Sequence, residues 1–345
     1  MAAAFQNVKS FVYDPQPFGH MAARVALAEL LSISGVSASS DRIFLTASTS
    51  EAYACLFALL CDSGDEILVP TPSYPLFEHL AGLACVTSVP YCIRYDGAWH
   101  VDLAYLRKMI TSRTRALIVV NPNNPTGHFI KGEDRANLIG LCVEHNLALI
   151  ADEVFLEYPV ELKEGHNPSL ATNGECLTFS LGGLSKSAGM PQLKLAWTIT
   201  SGPQSAVAEA CERLELILDA YLSVATPVEV ALKALLSIGR DLRTQIQERV
   251  LLNLGATDAI LACAPASRLH VEGGWSVIIR LPELQETDDW AAQILEQANV
   301  VVQPGYFFDL EHPGLVVLSL LTEPTEFRAG LQRMCELAAR QSCLL

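Results

Sequence analysis

Hydrophobic positions along the chain fall into two alternating patterns from about residue 40. Short continuous apolar runs at 42–46, 66–70, 116–120, 147–151, 177–181 and 195–200 predict strands. Stretches with apolar residues at helical spacing lie between several of them, at 50–61, 75–83 and 132–145. Strands that are apolar throughout, separated by helices, predict a mostly parallel sheet covered on both faces. Such a sheet binds ligands where its strands end, in a crevice lined by loops. From 204 to 254 the pattern is largely helical, with a break expected at Pro227. Beyond it, apolar runs such as "WSVIIRLP" and "LVVLSLL", a helix near 287–298 and a last helix from about 325 predict a smaller α+β unit. No internal repeat or low-complexity linker separates the parts, which predicts close packing. The boundaries suggested are an N-terminal segment 1–39, a large unit 40–225 and a small unit 226–345.

Composition narrows the function classes. Of 345 residues, 50% are hydrophobic and 18% charged, which excludes a disordered chain. A net charge of −15 argues against a general nucleic-acid binder, since phosphate contacts need clustered Lys and Arg. The ten cysteines are scattered without a C-x-x-C pair and mostly lie in apolar runs, as expected of buried thiols in a reducing compartment. "MAAAFQNVKSF" makes a poor secretory signal, and no run is long enough for a membrane span. A cytoplasmic location is expected.

The strand ends carry the candidate chemistry. "TASTSEAYACLFALL" leads from a strand through Ser48, Thr49 and Ser50 into a helix, where hydroxyls and free amides attract anions, although plain N-capping is the commoner use. "ALIVVNPNNPTGH" puts the amide of Asn124 at a strand's mouth, and by itself reads as an Asn-Pro turn. "LALIADEVFLEY" puts Asp152 after an apolar strand, where a carboxylate needs a cation or donor unless it stays at the surface. "LGGLSKSAGMPQLKLAW" places Lys186 among glycines and small residues. Alone it reads as a solvated loop lysine; held in a dry pocket, the amine becomes a nucleophile towards aldehydes. Together these positions supply an amine, an acid and an anion cradle, the groups that pyridoxal 5′-phosphate requires.

In the order and spacing of "NPNNPTG", "ADEVF" and "LSKSAGMPQLKLAW", with "PTPSYPLF" and "YDPQPFG", the chain resembles the class I/II aminotransferase family of fold-type-I pyridoxal-phosphate enzymes across most of its length. The resemblance implies the PLP-dependent transferase fold: an α/β large domain with a mostly parallel, seven-stranded-type sheet between helices, plus a smaller C-terminal α+β domain. It implies pyridoxal 5′-phosphate as cofactor, an amino acid and a 2-oxo acid as substrates, and a homodimer. Lys186 resembles the lysine that joins the cofactor's aldehyde in a Schiff base and shuttles the proton at the substrate's Cα. Asp152 then pairs with the ring nitrogen, Asn124 reaches the ring oxygen and Tyr74 stacks on the ring. Ser48, Thr49, Ser50 and Lys194 fall at phosphate-side positions, Ser185 is a further cofactor-binding position, and Tyr13 matches the tyrosine that reaches the neighbouring subunit's phosphate. The small residues around Lys186 would leave room for the cofactor ring.

The chain departs from the family pattern in several places. Phe155 stands where a tyrosine usually donates to the ring oxygen. Lys194 replaces an arginine, keeping the charge without the two-pronged geometry. Gly183 replaces a phosphate-binding serine, which shifts that load to Ser48–Ser50. Val317 stands where an arginine usually grips the substrate carboxylate, so either Arg280 or Arg268 takes that part or the substrate is held differently. The chain begins only a few residues before Tyr13, whereas members often carry a longer arm; a truncated start and a more open pocket both fit. Trp275 and Tyr306 suit a substrate pocket or a packed core equally. Transamination is the expected reaction. A lyase, decarboxylase or carbanion-oxidising reaction on the same fold is the alternative, and a cofactor-free interaction protein has no need of Lys186, Asp152, Asn124 and Tyr74 together. A nicotinamide enzyme is disfavoured, because no G-x-G-x-x-G follows a strand.

Overall fold

Alternate residues along the central strands serve two different cores. Leu117, Val119, Leu149 and Ala151 pack on one face of the main sheet, and Ile118 and Ile150 on the other. Both faces are dry, which is why these strands read as unbroken apolar runs. The computed structural model describes residues 6–33, 35–130, 132–161, 169–284 and 287–343.

The main sheet contains β1 (Ile43–Thr46), β2 (Glu66–Thr71), β3 (Thr87–Tyr95), β4 (Trp99–Val101), β5 (Thr114–Val120), β6 (Ala148–Asp152), β7 (Thr178–Gly183) and β8 (Ala196–Ser201), in the spatial order β1-β8-β7-β6-β5-β2-β3-β4. β2, β3, β5, β6 and β7 run parallel; β8 lies antiparallel between β7 and β1. The architecture is the expected α/β one, with one strand more than the expected seven. β4 is a three-residue strand that pairs antiparallel with β3 at the sheet edge. The second sheet is smaller and antiparallel, formed by β9 (Ser267–Arg268), β10 (Ser276–Arg280), β11 (Gln303–Pro304) and β12 (Leu315–Ser319), in the order β11-β12-β10-β9.

The helical run is interrupted as expected, immediately ahead of Pro227. The helix Gln204–Tyr221 ends there, the chain turns through Leu222 with φ of 69°, and the 36-residue helix Thr226–Leu261 begins with Pro227 in its first turn, where no backbone N–H is needed. That helix packs on both the N-terminal helix Met21–Ile33 and the last helix Pro324–Ser342. Leu269, Ile278, Phe308 and Val317 of the smaller unit join Leu117 and Leu149 in one core, so the two sheets share a packed interface.

The thiols are less buried than expected: Cys55, Cys142, Cys176 and Cys335 are buried, while Cys85, Cys263 and Cys343 are exposed. No single described helix is long and apolar enough to cross a membrane.

Candidate active site

Because β1, β2, β5, β6 and β7 point the same way, their carboxyl ends open on one edge of the sheet. Asp152 ends β6, and the segments that follow the other strands carry Ser48 to Ser50, Tyr74, Asn124 and Lys186. Residues spread in sequence from Ser48 to Lys186 are therefore delivered to one edge of the sheet.

Lys186 sits in the single-turn helix Leu184–Ser187, directly after β7. Tyr158 Oη donates to its carbonyl oxygen at 2.6 Å, and Ser187 Oγ donates to Gly183 O at 2.8 Å, so the turn is fixed from both sides. The amine lies 5.4 Å from the centre of the Phe155 ring and 5.1 Å from that of Trp275. The two rings meet edge to face at 5.3 Å. Burial holds the ammonium's pKa below its ordinary value, and the charge of Asp152 opposes that only in part. Among the described residues the amine has no ion pair or hydrogen bond.

Asp152 is the last residue of β6, its backbone held in register with Val120 and Leu181. Burial pushes its carboxyl up to about 6, against donation from Val154 N–H at 3.2 Å and Tyr53 Oη at 3.1 Å and the charge of Lys186. Tyr53 was not anticipated. It is fully buried on the helix Thr49–Leu60, one turn beyond Thr49 on the same face. A tyrosine four residues from a candidate anion-binding hydroxyl was the available signal.

The small residues near Lys186 have a different cause from the one expected. A Cβ on Gly182 would collide with the indole of Trp197 on β8, and one on Gly183 would press on Ala196 at 3.3 Å. Ala188 lies against Gly239 of the long helix, where a further Cβ would also collide. These positions are small so that the lysine-bearing strand lies flush against its neighbours, and the aromatic rings of Phe155 and Trp275 are what border the amine.

The Asn-Pro segment is more than a turn. Asn121 N–H donates to Asp152 O at 2.8 Å, and its Oδ1 accepts from Ile130 N–H at 2.9 Å. Asn123 Nδ2 donates to Pro72 O and to Thr126 Oγ1, while its Oδ1 accepts from Ser73 Oγ at 3.2 Å. That last bond places Tyr74, which is half exposed, beside the Asn124 loop. Gly127 turns at φ +70°, where the space of a Cβ is taken by Val271 and the carbonyl of Gly273. Asn124 lines a narrow crevice with Phe155, Gly274, Trp275 and Ser276, and its Oδ1 accepts from Ser276 Oγ at 3.3 Å.

At the opposite end, Ser48 caps the helix Thr49–Leu60 by accepting from Glu51 N–H at 3.2 Å, which leaves the first amides of that helix facing the crevice edge. Lys194 is exposed, adopts φ of 52°, and lies close enough for its charge to act on the Glu51 carboxyl. Ser185 is half-buried beside Lys186. Tyr13 is 83% exposed and contributes nothing to the crevice of its own chain. Arg268 is committed to Asp258 through contacts of 2.5 and 3.2 Å. Arg280 ends β10 four residues from Ser276, about 13 Å along the strand. Val317 is buried opposite Ile278, in the core shared by the two sheets. Neither arginine reaches the crevice, and the valine is a packing residue. Trp275 proves to border Lys186, whereas Tyr306 is exposed and meets Phe307 edge to face at 4.8 Å.

The sequence pattern of the family "Aminotransferase class I and II" matches residues 4–333. An alanine aminotransferase of Mycobacterium tuberculosis is 27% identical over 308 residues, 85% of this chain and 70% of that protein. The glutamate-pyruvate aminotransferase AlaA of Escherichia coli is 30% identical over 196 residues, 57% of this chain and 48% of that one. Among solved structures, an alanine aminotransferase from Pyrococcus furiosus superposes with a TM-score of 0.85 at 23% identity, covering 98% of this chain and 87% of that chain. A Thermus thermophilus aspartate aminotransferase single mutant gives a TM-score of 0.80 at 26% identity, over 93% and 83%.

Proposed function

Because the chain belongs to the class I and II aminotransferase family, it is a transaminase, and we propose that it moves an amino group between an amino acid and a 2-oxo acid with pyridoxal 5′-phosphate held at Lys186. The observation that carries this proposal is the state of Lys186. A desolvated amine with aromatic neighbours and no partner faces a half-buried carboxylate that is itself short of a cation. Two complementary groups kept apart in a dry crevice fit a planar group that bears a cationic nitrogen at one end and an aldehyde near the other.

When bound, that cofactor supplies an electron sink for the charge left on a substrate carbon. The protein's own groups do the rest. Asp152, kept in place by Tyr53 and Val154, would hold a proton on the ring nitrogen, and a cation there would draw its carboxyl back down from about 6. Lys186, with its depressed pKa, is available as nucleophile and then as the base that takes and returns the Cα proton. Asn124 would hold the ring oxygen and Tyr74 would cover the ring. The N-terminus of the helix Thr49–Leu60, with Ser48, Thr49, Ser50 and Lys194, would hold the phosphate, and Ser185 would add a further cofactor contact. Phe155 and Trp275 exclude water beside the amine.

We take the protein to act as a cytoplasmic homodimer built from the segments 1–39, 40–225 and 226–345. The exposure of Phe11, Val12 and Tyr13 supports a partner surface at the N-terminal segment. The long helix starting at Thr226 supports the second boundary.

Single-turnover assays test the reaction. Amino acids added one at a time to the yellow holoenzyme, beginning with alanine and glutamate, are expected to bleach it without release of carbon dioxide or ammonia. Release of either, or consumption of oxygen, places the chain with decarboxylating, eliminating or carbanion-oxidising relatives instead.

A further inference from the structure

Ser276 is the first residue of β10 and brings the smaller sheet to the crevice. Its position is set by pairing with Ser319 of β12 and by donation of Leu320 N–H to the carbonyl of Trp275 at 2.8 Å. From there its hydroxyl donates to Asn124 Oδ1 at 3.3 Å, across the boundary between the two units. Among the described residues, Asn124 Oδ1 is the one acceptor for that hydroxyl. With the amide turned round, the hydroxyl proton would lose its acceptor.

The contrast with neighbouring asparagines is informative. Asn123 uses both ends of its amide within the protein, and Asn121 bonds to Ile130 and to the Glu153 carboxyl. Asn124 uses its oxygen alone: among the described residues, nothing accepts from its Nδ2. An amide with its acceptor end pinned and its donor end free, in a crevice shared with Phe155 and Trp275, is set to meet an anionic oxygen.

We infer that Ser276 is a positioning residue, which orients the Asn124 amide so that Nδ2 donates to the cofactor's ring oxygen and so ties the seating of the smaller sheet to the charge on that oxygen. The inference rests on the cofactor reading above. Phe155 offers no hydroxyl to the same oxygen, so the orientation of one amide carries more weight here than it would beside a tyrosine.

The test is an absorbance titration of the bound cofactor in the wild type, Ser276→Ala, Ser276→Thr, Asn124→Ala and the Asn124→Ala/Ser276→Ala pair. A donor to the ring oxygen favours the deprotonated chromophore. Ser276→Ala should therefore raise the titration midpoint by roughly half a unit or more, and Ser276→Thr should restore it. In the Asn124→Ala background, removing Ser276 should add nothing. A Ser276→Ala midpoint equal to wild type, or the same shift in both backgrounds, overturns the assignment alone. A wild-type protein that takes up no cofactor overturns the assignment together with the reading beneath it.

Discussion

Replacing Asp152 with asparagine should stabilise the cofactor-free protein while weakening its hold on the cofactor. Burial raises the carboxyl from its ordinary 3.8 to about 6, which corresponds to about 3 kcal/mol in favour of the protonated form. The sign follows from proton binding. Between these two values the folded state holds a proton that the unfolded chain has released, so stability falls as pH rises through the interval. The penalty is complete above about pH 6 and absent below about pH 4. Asparagine never ionises and escapes it. It also has one acceptor oxygen for the two donors, Tyr53 and Val154, which costs about 1 kcal/mol. The net expectation for Asp152→Asn is a gain of about 2 kcal/mol at pH 8, shrinking to nothing or a small loss near pH 4. Glu153, raised by burial to about 7, is common to both proteins and cancels. Urea unfolding of the two cofactor-free proteins across this range measures the difference. With saturating cofactor the order should reverse, because the ring nitrogen loses its anionic partner. A cofactor-free variant no more stable than wild type at pH 8, or a gap independent of pH, refutes the picture of a desolvated carboxylate awaiting a cation.

Three further substitutions probe other parts of the site. Phe155→Tyr adds a donor on the ring that already faces Lys186 and should lower the midpoint of the bound cofactor's absorbance titration; an unmoved midpoint removes Phe155 from the ring oxygen's surroundings. Lys194→Ala should weaken cofactor binding by roughly tenfold with little change in fold stability, as read by fluorescence titration, since the charge-assisted contact is lost from an exposed side chain. Gly182→Ala drives a methyl into the Trp197 indole and should cost about 1–3 kcal/mol in urea unfolding, whereas a neutral result would show that β7 and β8 are less tightly apposed than described.

Strands such as β5 and β6 were legible because both of their faces are dry, and strand-end chemistry was legible because parallel strands deliver their ends to one edge. β3 was not. Its pattern is mostly half-exposed, with Pro90 and Arg94 interrupting the apolar residues, as suits a strand near the sheet edge. Pro227 was legible as a helix boundary because a proline sits without cost in a helix's first turn, where no backbone N–H is needed. The glycines before Lys186 pointed to an open space, yet the space is filled by Trp197 and Ala196 of a strand that follows in sequence. Tyr53, Trp275 and Ser276 meet Asp152, Lys186 and Asn124 through pairings separated by 89 to 152 positions. Contacts of that kind belong to topology, and no local pattern encodes them.

Borohydride reduction of the protein with pyridoxal 5′-phosphate, followed by peptide mapping, asks whether position 186 is where the cofactor is held. A single reduced pyridoxyl adduct on Lys186, absent from a Lys186→Ala variant, is the expected result. An adduct on Lys194 or Lys233 with Lys186 unmodified, or no adduct at all, contradicts the account.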